Sequence, residues 1–260
     1  MTNYETTKKT LHAFGDSFVL GDQDDFLHVR DPNVKPTHSM QYDERIKYLK
    51  NHVSFVSHLA KHYNFDLQNH SHRGSGNYPQ LDKLYLEFNQ RNIKSGDIVL
   101  FGFTSCHRDR WWLNHIEELK SDKLAPCFVD RSLIEHNTGQ PLFELDFFYI
   151  ISVLDRLSKQ FTVPIIVFNL WDNALTQASK QIKDLCRVEN FVGFDTLGNT
   201  LIHILNDTWG KDEKNPFHHN QVKVLPDHEY LYTYYRHPSI EGHKKIAKWW
   251  IDNNILQKFV

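Results

Sequence analysis

Short apolar runs, separated by stretches with helical spacing, constrain this chain more than any other feature. Ile98–Phe103 is almost continuously apolar, and Val163–Leu170 repeats the pattern with its proline near the entry. Such runs are expected of strands covered on both faces, and a proline at a strand's start gives up no needed N–H. Leu11–Phe14 and Phe65–Gln68 read as two further strands, and Phe191–Phe194 as a short last one. Between them, Ile46, Leu49, Val53, Val56 and Ala60 recur at helical spacing, which predicts one amphipathic helix over Asp43–Tyr63. Leu81, Leu84 and Phe88 mark a helix after Pro79, and Phe147–Leu157, Ala174–Leu185 and Ser239–Asn253 mark three more. Strands alternating with helices give an α/β fold class. The expected form is a three-layer α/β/α sandwich around a parallel sheet of about five strands.

Composition narrows the function. The 260 residues contain no Gly/Ser- or Pro-rich linker and no repeat, so one domain is expected over 1–260, with loop insertions near 20–41 and 105–143. A net charge of −2 without a long basic run argues against nucleic acid as a partner. Met1–Thr10 is polar, unlike a signal peptide, and no run approaches the length of a membrane span. With Cys106, Cys127 and Cys186 in no paired spacing, reduced thiols and a cytoplasmic location are expected. His70, His72, His218 and His219 show no zinc-like pattern and read as solvated loop histidines, so neither metal nor cofactor is expected.

In parallel sheets of this kind, sites gather beyond the carboxyl ends of the strands. Gly15-Asp16-Ser17 lies there after the first strand, and Gly74 and Thr104 lie there after the second and third. Gly-Asp-Ser alone is also an ordinary turn with a helix cap. Its distant partner, His237-Pro238, sits just before the last helix. Serine is a poor nucleophile until a neighbouring base takes its proton, so the pair points to nucleophilic catalysis.

Four separated blocks resemble the SGNH (GDSL-type) hydrolase superfamily, which has a flavodoxin-like sheet. Ala13-Phe14-Gly15-Asp16-Ser17-Phe18 is similar to the first block, and Asn69 to Asn77, with Gly74, to the second. Val99 to Ser105 is similar to the third, and His237-Pro238-Ser239-x-x-Gly242 to the last. The resemblance implies Ser17 as nucleophile and His237 as base. It places the Ser17 and Gly74 N–H groups in the oxyanion hole. The family's third-block asparagine is replaced by Thr104, whose hydroxyl reaches less far, with Asn77 as a conceivable substitute donor. Thr104 and Ser105 read equally well as caps of the next segment.

The family's aspartate, three residues before the histidine, is Tyr234 here. Either Asp227 or Glu229 supplies the acid from the preceding loop, or a backbone carbonyl orients His237 in a dyad. Ser105, Arg108 and Arg110 follow the third block beside Trp111 and Trp112 and are expected at the substrate rim. Two arginines with two tryptophans suit a polar, anionic or carbohydrate ligand, and equally a surface ion-pair network over core tryptophans. The expected reaction is hydrolysis of a carboxylic ester on a small molecule or glycan. An O-acyltransferase on the same residues and a non-catalytic carbohydrate-binding protein are the alternatives.

Overall fold

The computed structural model describes residues 8–23, 42–73, 75–104, 141–170, 191–192, 201–205, 226–232 and 237–260. Strand β1 is Thr10–Phe14, β2 Asp66–Asn69, β3 Ile98–Phe103, β4 Ile165–Asn169 and β5 Phe191–Val192. All neighbours pair in parallel, in the order β2-β1-β3-β4-β5. That order reverses direction at β1 and β3, the place where a doubly wound sheet opens a crevice beyond its carboxyl ends.

The strand sequences explain why the sheet sits in the middle. Leu11, Ala13, Leu100, Ile166 and Phe168 face one side, against Phe55 and Leu59 of α3 (Phe55–His62) and Ile246 and Trp250 of α7 (Ile240–Asp252). Phe14, Val99, Phe101, Phe103 and Val167 face the other. They pack on Leu81, Leu84 and Phe88 of α4 (Asn77–Asn89) and on Ile150, Ile151 and Leu154 of α5 (Pro141–Phe161). Alternate residues of each strand thus enter two separate cores, which is the three-layer sandwich. Pro79 stands in the first turn of α4, where its missing N–H breaks no helical bond. Among the described residues no helix is long and apolar enough to cross a membrane.

The helix expected over Asp43–Tyr63 is not one helix. It is α2 (Tyr42–Tyr48), a π-helical turn over Leu49–Val53, and then α3. Ser54 makes the break. Its backbone leaves the helical region, its N–H donates to Leu49 O at 3.0 Å, and its hydroxyl accepts from Ser57 N–H at 3.2 Å as the cap of α3. Gly21 ends α1 (Ser17–Leu20) with φ of 86° and lies so close that a Cβ there would be 2.8 Å from Ser54 N. The apolar period runs through the break although the halves bury it in different places: Leu49 and Val53 pack with Leu20, and Val56 and Ala60 with the sheet core. The expected helix at Ala174–Leu185 and the interior of both expected insertions lie outside the described residues. α6 covers Leu201–Leu205, and a 3-10 turn covers Pro226–Leu231.

Candidate active site

Ser17 is the first residue of α1, directly beyond β1. Asp16 caps that helix, its Oδ1 accepting from Phe18 N–H at 2.9 Å. Gly15 lets the turn close, because a Cβ on it would run into Val19. Gly102 serves the same contact from β3, where a Cβ would lie 2.9 Å from Val19 Cγ2 and 2.8 Å from Phe168 Cζ. The short helix therefore sits down onto the β1–β3 crossing and presents Ser17 at the crevice. The Ser17 N–H, in the first turn, donates to no protein group among the described residues.

His237 arrives from the opposite end of the chain. Pro238 bridges antiparallel to Tyr232, Ser239 N–H donates to Leu231 O at 2.8 Å, and the Ser239 hydroxyl caps α7 through Gly242 N–H at 3.1 Å. Gly242 is required there, since a Cβ would fall on Leu231 O. These bonds fix the residue before them, and His237 Nε2 lies 2.7 Å from Ser17 Oγ across 220 residues of sequence. Phe18 packs on the imidazole at 5.1 Å between ring centres. The 2.7 Å between Ser17 Oγ and His237 Nε2 is hydrogen-bond distance for a hydroxyl and a ring nitrogen.

The other expected site residues fall into three groups. Thr104 and Asn77 are brought to the crevice, but their polar atoms are engaged in the scaffold. Thr104 Oγ1 donates to Asp16 Oδ2 at 2.8 Å. Asn77 Oδ1 accepts from Thr104 N–H at 2.9 Å, and its Nδ2 donates to Thr104 O at 3.1 Å. Together they lock the end of β3 to the serine turn and to the start of α4. Asp227 is exposed on the Pro226–Leu231 turn. Gly74, Ser105, Arg108, Arg110 and Tyr234, and the Glu229 side chain, lie outside the described residues.

Two supporting residues carry no spacing signal in the sequence. Gln80 Oε1, from α4, accepts from Gly15 N–H at 3.1 Å. Gln23 Nε2 donates to Pro238 O at 2.9 Å, tying the chain after α1 to the histidine segment.

His70 departs from its expected place among solvated loops. It stacks on Phe14 at 4.5 Å and sits 3.2 Å from His12, its Nε2 facing His12 Nδ1. Glu87 Oε1 lies 3.6 Å from His70 Nδ1, and Asp97 Oδ2 lies 3.5 Å from His12 Nε2. Burial nevertheless dominates and pushes the His70 imidazole down to about 4. Burial also holds His12 below its ordinary value, against the pull of Asp97 and Glu87. His243, which accepts from Phe55 N–H at 3.2 Å, is pushed down to about 3 by burial, helped by His58 and His237. Among the described residues no group of three or more His, Cys, Asp or Glu is placed to hold a metal ion.

No protein-family model matches the sequence, and no curated protein sequence matches it. Solved structures do match in three dimensions. A Bacteroides fragilis protein assigned as an acylhydrolase superposes with a TM-score of 0.51 at 11% identity, over 98% of this chain and 90% of that one. A carbohydrate esterase, whose active site is described as having divergent catalytic and non-catalytic binding functions, superposes with a TM-score of 0.50 at 14% identity. The match covers 96% of this chain and 68% of that one. The chain shares its overall architecture with these two structures. At such low identity the likeness is one of architecture, and the chemistry has to be argued from the side chains.

Proposed function

We propose that the protein is a serine hydrolase acting on a carboxylic ester of a small polar molecule or carbohydrate. The observation that carries this reading is the 2.7 Å approach of Ser17 Oγ to His237 Nε2 at the switch point of the sheet. In the reaction, His237 Nε2 takes the Ser17 proton as Oγ attacks the ester carbonyl. The oxyanion that forms meets the Ser17 N–H, and the Gly74 N–H that the family resemblance assigns to it. His237 then returns the proton to the leaving alcohol, and water attacks the acyl-serine by the same route in reverse. A different acceptor hydroxyl in place of water makes the same residues an acyltransferase.

The commitment of Thr104 Oγ1 to Asp16 leaves the backbone donors as the chief oxyanion ligands. Losing one side-chain donor costs on the order of 3 kcal/mol of transition-state stabilisation, so a modest rate is expected. Hydrolysis of short-chain aryl esters by the wild type and by Ser17→Ala tests the reading. Activity is expected in the first and none in the second, with melting temperatures nearly equal. Retained activity in Ser17→Ala overturns the assignment of the nucleophile.

A further inference from the structure

A cleft of about 540 Å³ opens between Leu20 at the end of α1, the α2–π segment and the carboxyl end of β2. Among the described residues, Lys47, Lys50, His72 and Arg73 line it, against one carboxylate, Asp43. Asp43 and Lys47 are exposed, so water screens them. Lys50 differs. It is half-buried in the π-helical turn, and its ammonium has no hydrogen bond or ion pair among the described residues. Burial, and then the positive charge of Lys83, push it down to about 8. Arg73 is oriented by an ion pair from its Nη2 to Oδ1 of buried Asp22.

An ammonium drawn part-way out of water beside other cations is unfavourable unless an anion faces it. No carboxylate is paired with Lys50 among the described residues, whereas an anion seated in the cleft would have Lys50 in its lining, with Lys47 and the Asp22-paired Arg73. The cleft adjoins the serine turn. Leu20 shares the four-residue α1 with Ser17, and His72 N–H donates to Gly15 O at 3.1 Å. Its volume suits a drug- or sugar-sized molecule and exceeds what one inorganic anion fills.

We propose that this cleft is an anion subsite that receives an oxyanion group (phosphate, sulfate or carboxylate) carried by a small organic molecule. It rests on the hydrolase reading only in taking that molecule to be the ester.

The test is calorimetric binding of glucose 6-phosphate, glucose and inorganic phosphate to the full chain, as wild type, Lys50→Met and Lys50→Arg. The wild type is expected to prefer glucose 6-phosphate over glucose by about tenfold or more, the worth of one charge-assisted hydrogen bond. Lys50→Met loses that preference and Lys50→Arg keeps it. Equal binding of glucose and its phosphate by the wild type overturns the proposal, as does a preference that survives in Lys50→Met. Inorganic phosphate binding as tightly as the sugar phosphate also overturns it, because the site then takes a free anion. Acetylated glucose 6-phosphate provides the kinetic arm. Lys50→Met should raise its KM far more than that of acetylated glucose, with kcat little altered. Lys50-dependent binding with no ester turnover at all supports the anion site and overturns the hydrolase reading instead.

Discussion

Acidification should destabilise this protein well before its carboxylates titrate, and His70 should account for a definable share. In the unfolded chain a histidine titrates near 6.5, whereas folded His70 is pushed down to about 4. Between those values the unfolded state binds the proton and the folded state does not. Stability is therefore fully present above about pH 6.5 and is lost as pH falls toward 4. Each pH unit of that interval is worth about 1.4 kcal/mol, so His70 alone removes roughly 2–3 kcal/mol by pH 4.5. The groups facing it are His12 on β1, Glu87 and Lys83 on α4, and Lys50 on the π-helical turn; Asp97 stands behind His12. Glu87 favours the charged imidazole, but burial outweighs it.

The assay is urea unfolding of the wild type and His70→Gln at pH 7 and pH 4.5. Both lose stability, because His12 and His243 are also held neutral by burial. The variant should lose roughly 2–3 kcal/mol less between the two pH values. Equal losses in the two proteins would show that His70 is not held neutral in the fold.

Two further outcomes follow from the scaffold. Thr104→Val removes the donor to Asp16 Oδ2, a buried carboxylate oxygen, and should cost about 1–3 kcal/mol. Calorimetry should then record a melting temperature lower by about 2–4 °C for each kcal/mol; an unchanged value contradicts the role of the Thr104–Asp16 bond in locking the end of β3 to the serine turn. Gln23→Ala frees Pro238 O from its tie to the chain after α1, so kcat for a short-chain aryl ester should fall while KM stays close to the wild-type value. A change in KM alone contradicts a role in positioning His237.

The strands were legible because burial on both faces writes itself directly into the residues. Ile98–Phe103 coincides with β3, and β1 and β4 lie within a residue or two of their expected bounds. Ser17 and His237 were legible as residue types in the right order, although only the fold brings them together. The break at Ser54 was not legible, because the apolar spacing of Ile46 to Ala60 crosses it and the packing of Gly21 against Ser54 exists only in the fold. The burial of His70 was equally hidden. It depends on the parallel register that sets Ala13 opposite Asn69 and so lays His70 over Phe14. Gln23 and Gln80 are polar residues in a loop and a helix, and nothing in their spacing marks them as supports of the serine turn.

The proposed activation of Ser17 by His237 is open to a test that needs no substrate: reacting the native protein with a fluorophosphonate, which labels only an activated serine, and reading the intact mass. The account predicts a single adduct on Ser17 that is absent in Ser17→Ala and formed far more slowly in His237→Ala. No adduct on the native protein, or one that persists in Ser17→Ala, would contradict it.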